Sequence, residues 1–396
     1  MLTGAGSGRT ISWADPDASW LTVRPESRRT ELIQDRRQSV NSGPESTGRS
    51  RGVPGGVDAA AVHPTLEALA RRRFGVFTAA EARRAGCRPD EIRSALSSGR
   101  WHRLRRGVYV DAQRWGAVRD DARSRHLVES VAVVLSLGPG PVLSHGSAAR
   151  VHRVLVPASA GEDVRLTDEA QWRDGRGYRV ARAALPAGDV QRLQAFSVTT
   201  PARTLVDCAR EWALTDAVVA IDDALQGERV NRALLEAGVL AARHWPGVGA
   251  AARAINLADG RSESPLETRG RLMLLSNGLP RPELQVELHD ARGFVARVDA
   301  WYEEAAAAVE FDGRVKYLQP RGGREPGEVL WLEKRREDRV RDLGVRVVRV
   351  VQDDVTSGGR VVAARLRELL AHRLAGPRRF TVARTPEPGS GQAGAA

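Results

Sequence analysis

Asp299 in RVDAWY and Glu310 in VEFDG each follow a valine, Val298 and Val309, in segments whose apolar residues mark β-strands. A carboxylate set among apolar neighbours is costly to bury unless it meets a ligand or a hydrogen-bond donor. Neighbouring strands lie about 5 Å apart, so two carboxylates at matching heights could share one hard divalent cation, Mg²⁺ or Mn²⁺. A cation held in that way activates water and offsets the charge that builds on a phosphate, which is the chemistry of phosphodiester hydrolysis. Asp312, two residues beyond Glu310, falls on the same side of its strand. The competing reading is that all three are strand-end and turn residues with no chemistry.

Other constellations carry less. Ser144, His145 and Ser147 have the residue types of a hydrolase, but no G-x-S-x-G elbow surrounds them and no acid partner is evident, so Ser144 reads as a helix N-cap. In TTPARTLVDCAR, Thr200 reads as a cap with Pro201 at the first helical position. Asp222 and Asp223 in AVVAIDDALQ read as the polar side of a helix, and the alternating charges of Glu333 to Arg341 as a solvated helix face. Cys87 and Cys208 are far apart and in no CxxC, which points to reduced thiols in a cytoplasm and excludes a zinc knuckle.

The net charge of +12 is unevenly spread. Only Lys316 and Lys334 are lysines, so arginine usage by itself says little about partners. Its placement says more: residues 64–110 hold eleven arginines against four carboxylates, over half of the net excess in 47 residues. A basic patch that concentrated binds polyanions.

The elements that would position these groups follow from period and punctuation. Residues 1–60 are rich in Ser, Gly, Arg and Pro and are expected to be a disordered extension; an N-terminus near Val57 or Val62 would remove most of it. Thr65 to Arg73 reads as a helix, Thr78 and Glu81 as a capping box opening Ala79 to Ala85, and Pro89-Asp90 as the start of Glu91 to Ser98. RWHRLRRGVYV then reads as a hairpin around Gly107. Three short helices and a basic hairpin are the pattern of a winged helix-turn-helix over 64–110, with Arg88, Arg93, Arg100, Arg103, Arg105 and Arg106 as candidate DNA contacts. Residues 111–260 read as a mixed region, with a helix at His126 to Leu137 and strands near Asp163 to Leu166 and Tyr178 to Leu185. From Ser262 the order is α-β-β-β-α-β: a helix capped by Ser264, strands at Leu284 to His289, Phe294 to Trp301 and Ala306 to Phe311, a charged helix from Glu328 to Leu343, and a strand at Val345 to Val351 able to pair in parallel. The end of the chain, 380–396, is expected to be a second disordered tail.

FGVFTAAEARRAGCRPDEIRSALSSGRWHRLRRGVYV resembles the N-terminal winged helix of AbiEi-type antitoxins of type IV toxin-antitoxin systems, through Gly75, Thr78 and Ala82, then Leu104, Arg105, Gly107 and Tyr109. That resemblance implies DNA binding. The segments SPLETRGR, RVDAWY, VEFDG and RDLGVRVVRV, with the Gln285 strand, resemble very-short-patch-repair-type endonucleases of the PD-(D/E)XK restriction-endonuclease-like fold. It implies that Glu267 is a third metal ligand beside Asp299 and Glu310. Where that motif commonly has lysine this chain has Asp312, and Lys316 follows where relatives carry histidine. Either Lys316 supplies the missing charge across the Gly313 turn, giving a catalytic set of Asp299, Glu310, Asp312 and Lys316, or the site is inert.

The reading is therefore an α+β multidomain protein: winged helix, antitoxin-like mixed α/β middle and, over 262–375, an endonuclease-like α/β domain. It is expected to be cytoplasmic and to bind double-stranded DNA, either as a Mg²⁺- or Mn²⁺-dependent endonuclease or as a non-enzymatic regulator with an operator or a toxin partner. The longest apolar runs fall far short of the roughly 20 residues that cross a bilayer.

Overall fold

Thr78 forms the capping box that its spacing to Glu81 predicts: the Glu81 amide donates to Thr78 Oγ1 (3.2 Å) and the Thr78 amide to Glu81 Oε2 (2.9 Å). The computed structural model describes residues 64–193, 196–313, 335–374 and 377–388. All of them belong to one unit that begins at residue 60; the other, residues 1–59, lies outside the described residues, and with it the expected N-terminal extension.

The first elements are α1 (Pro64–Arg71), β1 (Val76–Thr78), α2 (Ala79–Arg84), α3 (Pro89–Ser97), β2 (Trp101–Arg105) and β3 (Val108–Asp111). The three expected helices and the hairpin are present, and Gly107 takes the positive φ (73°) that the turn between β2 and β3 needs. The addition is β1, three residues that pair antiparallel with β3 to give the sheet order β1-β3-β2. Leu66, Phe77, Ala82, Ile92, Ala95, Trp101 and Tyr109 form its core, with the Phe77 and Trp101 rings edge to face at 4.7 Å.

Next come α4 (Ala112–Val118), α5 (Ala122–Leu137), β4 (Val142–Leu143), α6 (His145–Val151), β5 (Val164–Asp168), β6 (Arg173–Gly175), β7 (Tyr178–Arg182), β8 (Val190–Arg192), β9 (Ser197–Thr199), α7 (Pro201–Glu211), α8 (Leu214–Gln226), α9 (Arg232–Ala241) and α10 (Val248–Leu257). The strands form one sheet in the order β6-β7-β5-β4-β9-β8. The two expected strands are β5 and β7, and they pair in parallel. Val76, Val108 and Val110 share a core with Val128 and Val131 of α5 and with Leu143, Leu166 and Val180, so α5 packs the first sheet onto the second. Leu205, Ile221, Leu225, Leu235 and Ile255 hold α7 to α10 together.

The remaining elements are α11 (Pro265–Ser276), β10 (Glu283–Asp290), β11 (Gly293–Tyr302), β12 (Ala307–Asp312), α12 (described over residues 335–342), β13 (Arg346–Val351), α13 (Gln352–Thr356), α14 (Arg360–Leu370) and β14 (Thr381–Ala383). The order expected from Ser262 is observed, and β13 pairs in parallel with β12 as expected. The sheet runs β13-β12-β11-β10-β14. One expectation is corrected: residues 381–383, assigned to a disordered tail, form β14 on Glu287, Leu288 and His289 of β10. The tail is anchored further by Arg384 on Glu283 (2.5 Å) and Glu387 on Arg232 (2.8 Å).

The two faces of this sheet bury different cores. Val309 and Phe311 meet α11 and α14, whereas Ala306 and Ala308 meet Val340 of α12 and Phe380. Leu284 lies on the first face and Val286 on the second, although they are two residues apart; Ala300 and Val298 opposite them divide in the same way. Both strands thus change face at Gln285 and Asp299. Gln285 accommodates the change with φ of +52°, in the left-handed region that is strained for any residue with a side chain.

Candidate nucleic-acid interface and the C-terminal carboxylates

Of the candidate arginines, Arg88 caps α3, Arg93 lies on it, Arg100 precedes β2, and Arg103, Arg105 and Arg106 belong to the β2–β3 hairpin. Ile92 and Ala95 turn inward on α3, which leaves Arg93 on its exposed side. Arg93, Arg103 and Arg106 are exposed and make no hydrogen bond or ion pair with any described residue. Arg88 is exposed beside Glu91 (3.2 Å), which balances part of its charge, and Arg100 donates to Ser98 Oγ (3.3 Å). Arg105 is different. Its Nη2 donates to the Arg176 carbonyl at 3.0 Å, and its guanidinium lies 5.2 Å from the centre of the Tyr178 ring. It docks the hairpin onto β7, so its first role is structural.

In the C-terminal sheet the β10–β11 register sets Gln285 opposite Asp299, the β11–β12 register continued by one step sets Asp299 opposite Glu310, and Arg349 is paired beside Glu310. One rung across four strands therefore reads Gln285, Asp299, Glu310, Arg349. Glu267 reaches toward it from α11. Its Oε2 accepts from the Glu263 amide (2.8 Å) and from Gln285 Nε2 (3.0 Å), and its Oε1 from Ser264 Oγ (2.8 Å). Asp299 Oδ2 accepts from the Phe311 amide (2.8 Å), and Glu310 Oε1 from Arg336 Nη2 of α12 (3.1 Å). Arg349 stands 3.9 Å from Glu310 and 4.0 Å from Asp312. Lys316 lies outside the described residues. Burial raises the proton affinity of Glu267 and of Glu310; the Asp299 charge adds to both, while Arg336 works against it at Glu310.

A magnesium ion asks for near-octahedral oxygen donors with lone pairs to spare. Here both oxygens of Glu267 are engaged in the cap of α11 and on Gln285, one of Asp299 on a backbone amide, and Glu310 on a guanidinium. The set as placed fits Mg²⁺ or Mn²⁺ poorly, and among the described residues no three His, Cys, Asp or Glu side chains group as a metal site.

Three readings of the middle region change. Ser144 does sit at the N-cap of α6, but its hydroxyl makes no cap bond; it meets His145 Nδ1 (2.8 Å) and accepts from Thr167 Oγ1 (2.8 Å). His145 Nε2 stands 3.3 Å from Glu211, the acid partner that the sequence did not reveal because it lies on α7. Arg165 and His145 hold Glu211 far below the usual carboxylate range against the opposing effect of burial. Ser144 is wholly buried and His145 nearly so, and the trio forms a polar chain that links α6 to α7. Asp222 is no solvated helix face: it is 1% exposed and bonded to Arg271, itself 0% exposed. The Thr200 cap with Pro201 is observed, and the same segment supplies Arg203, which donates to Asp207 and Asp189 and lies 4.5 Å from the Trp245 ring centre. Asp222 carried a visible signal: it stands on the same helix face as Val218 and Leu225, three to four residues away, where a solvated carboxylate does not belong.

Residues 64–110 match the family model described as a transcriptional regulator, AbiEi antitoxin. Two uncharacterized proteins of Mycobacterium tuberculosis, Rv2248 and MT2308, are each 35% identical to the chain over 188 residues, covering 47% of it and 67% of their own length. The chain belongs to their family. In this chain the match at 64–110 coincides with the segment that carries the exposed arginines. Among the described residues no helix is long and apolar enough to cross a membrane.

Proposed function

We propose that the protein is a DNA-binding transcriptional regulator of the AbiEi antitoxin type, reading duplex DNA through a winged helix formed by residues 64–110. The observation that carries this reading is the exposure of Arg93 on α3 and of Arg103 and Arg106 on the β2–β3 hairpin within the segment that matches the regulator model. α3 is the element narrow enough for a major groove, and the hairpin arginines suit phosphates beside it. An operator is the expected partner, with a toxin as the second partner of an antitoxin.

A second reading, a metal-dependent endonuclease acting through Glu267, Asp299 and Glu310, has one observation in its favour: the β11–β12 register, continued by one step, brings Asp299 and Glu310 side by side. It would require Arg336 to yield Glu310. The endonuclease-like fold over 262–375 is retained in this proposal as an architecture without catalysis.

One experiment separates the two. Purified protein is incubated with labelled duplexes from upstream of its own gene and with supercoiled plasmid, in Mg²⁺, Mn²⁺ or EDTA. The regulator predicts sequence-selective retention that is indifferent to metal and lost in Arg93→Ala/Arg106→Ala, with no cutting. Metal-dependent cutting abolished in Glu310→Ala would replace this reading with the endonuclease.

A further inference from the structure

The β2–β3 hairpin does not stand alone on its side of the molecule. Arg105, at the end of β2, bonds the Arg176 carbonyl and covers Tyr178, so the turn at Arg106-Gly107 lies beside the turn at Arg176-Gly177 between β6 and β7. Arg173 brings a second guanidinium to 5.9 Å from the centre of the same ring. Tyr178 is buried under them, and its seat depends on Gly175: a Cβ there would come 2.4 Å from the ring. Gly177 closes the turn with a positive φ of 72°.

This second hairpin is itself basic. Residues 172–182 hold Arg173, Arg176, Arg179 and Arg182, all exposed, against the single acid Asp174, which lies 3.6 Å from Arg179. β6 is the edge of its sheet, and Trp172 just before it is 66% exposed. Arg176 sets a like charge beside Arg105, and an anion in front of the two hairpins relieves that repulsion. Arg105 feels the opposing charge of Glu129, but that carboxylate is on α5 and not on either hairpin.

We propose that the β6–β7 hairpin is a second contact with the DNA backbone, held next to the first hairpin by the Arg105–Tyr178 stack and meeting phosphates through Arg173 and Arg176. The proposal rests on the DNA-binding reading above. Duplex DNA is the favoured occupant because the patch is continuous with Arg106 and because forked guanidiniums match phosphate oxygens. Contacts of this kind position the protein and lengthen its footprint without reading sequence.

The test uses the full chain and the duplex that the wild type protects. Each arginine that meets a phosphate adds about 1 to the slope of log affinity against log salt. Arg173→Ala/Arg176→Ala should lower the slope by about 2, weaken all sequences alike, and shorten the protected stretch at one end. Arg176→Ala alone leaves both guanidiniums on Tyr178 and should lower the slope by about 1, which keeps the test valid should the double variant fold poorly. Arg173→Lys/Arg176→Lys keeps the charges and should keep the slope. Wild-type slope and protection in the alanine variants, with binding lost in Arg93→Ala/Arg106→Ala, would overturn this inference and leave the DNA-binding reading standing. A wild type that binds no duplex overturns both.

Discussion

Asp222 on α8 and Arg271 on α11 meet at 2.7 Å with side chains 1% and 0% exposed, and this pair ties the helices of the middle region to the sheet that follows. Asp222 also accepts from Thr268 Oγ1 (2.8 Å) and the Asp259 amide (2.7 Å), and Arg271 Nη1 donates to the Leu257 carbonyl (2.6 Å). Burial pushes the Asp222 carboxyl up to about 6 against the pull of Arg271, so the pair depends on the bonds its members make inside the protein, although Arg271 Nε finds no partner among the described residues.

Removing one member should therefore cost more than removing both. Asp222→Ala leaves a buried guanidinium without its counter-charge, which is expected to lower unfolding free energy by about 3 to 5 kcal/mol. Asp222→Leu with Arg271→Met should recover a large part of that loss. Urea unfolding of the two variants checks this; a single-variant loss below about 1 kcal/mol would contradict a buried pair.

Neighbouring residues of the β2–β3 hairpin should behave oppositely. Arg105→Ala removes the stack on Tyr178 and the bond to Arg176, and is expected to lower the melting temperature. Arg106→Ala touches no described partner, should leave the melting temperature unchanged, and should lower the salt slope of DNA binding by about 1. Thermal melts beside salt-titrated anisotropy measure both. A stability loss confined to Arg106→Ala would mean that the two side chains have been assigned the wrong way round.

The arginines around Glu310 should keep metal out. Millimolar Mn²⁺ is expected to leave the wild-type melting temperature unchanged, since Glu310 is bonded to Arg336 and Arg349 stands near both Glu310 and Asp312. Arg336→Ala/Arg349→Ala exposes the carboxylates of Asp299, Glu310 and Asp312 to one another, and calorimetric titration should then detect Mn²⁺ binding that Glu310→Ala abolishes. Equal Mn²⁺ binding by the wild type would show that the guanidiniums do not control the site.

Legibility in the sequence tracked the range of the interactions involved. Ser264, Pro265 and Glu267 act within four residues of one another, and α11 starts where they say. The parallel pairing of β12 and β13 was readable from a helix placed between two apolar runs. β14 was not, because a three-residue strand has no period and its partner, β10, lies about a hundred residues upstream. The change of face at Gln285 and Asp299 breaks the alternation on which strand reading depends. That break also hides from strand reading how Asp299 stands toward Glu267, which only the family resemblance joined to it. Glu211 and Arg271 escaped notice for a related reason: each acquires its role from a partner on another helix.

Acid should destabilise the protein through His126. Its Nε2 lies 2.8 Å from Ser147 Oγ, which already accepts the Arg165 amide, so the serine proton points at a neutral imidazole. Burial, with Arg150 and Arg125 nearby, holds the His126 pKa down to about 4, below the roughly 6.5 of the unfolded chain. The folded state then binds fewer protons than the unfolded state between those values, so stability is intact above about 6.5 and is lost as pH falls toward 4. The full shift corresponds to about 3 kcal/mol as an upper bound. His152, also held down by burial, adds in the same direction. His126→Gln keeps a polar atom near Ser147 without a titrating group, and its unfolding free energy should fall less steeply over that window than that of the wild type. Identical pH profiles for the two proteins would show that His126 titrates normally and that its buried bond to Ser147 is not maintained in solution.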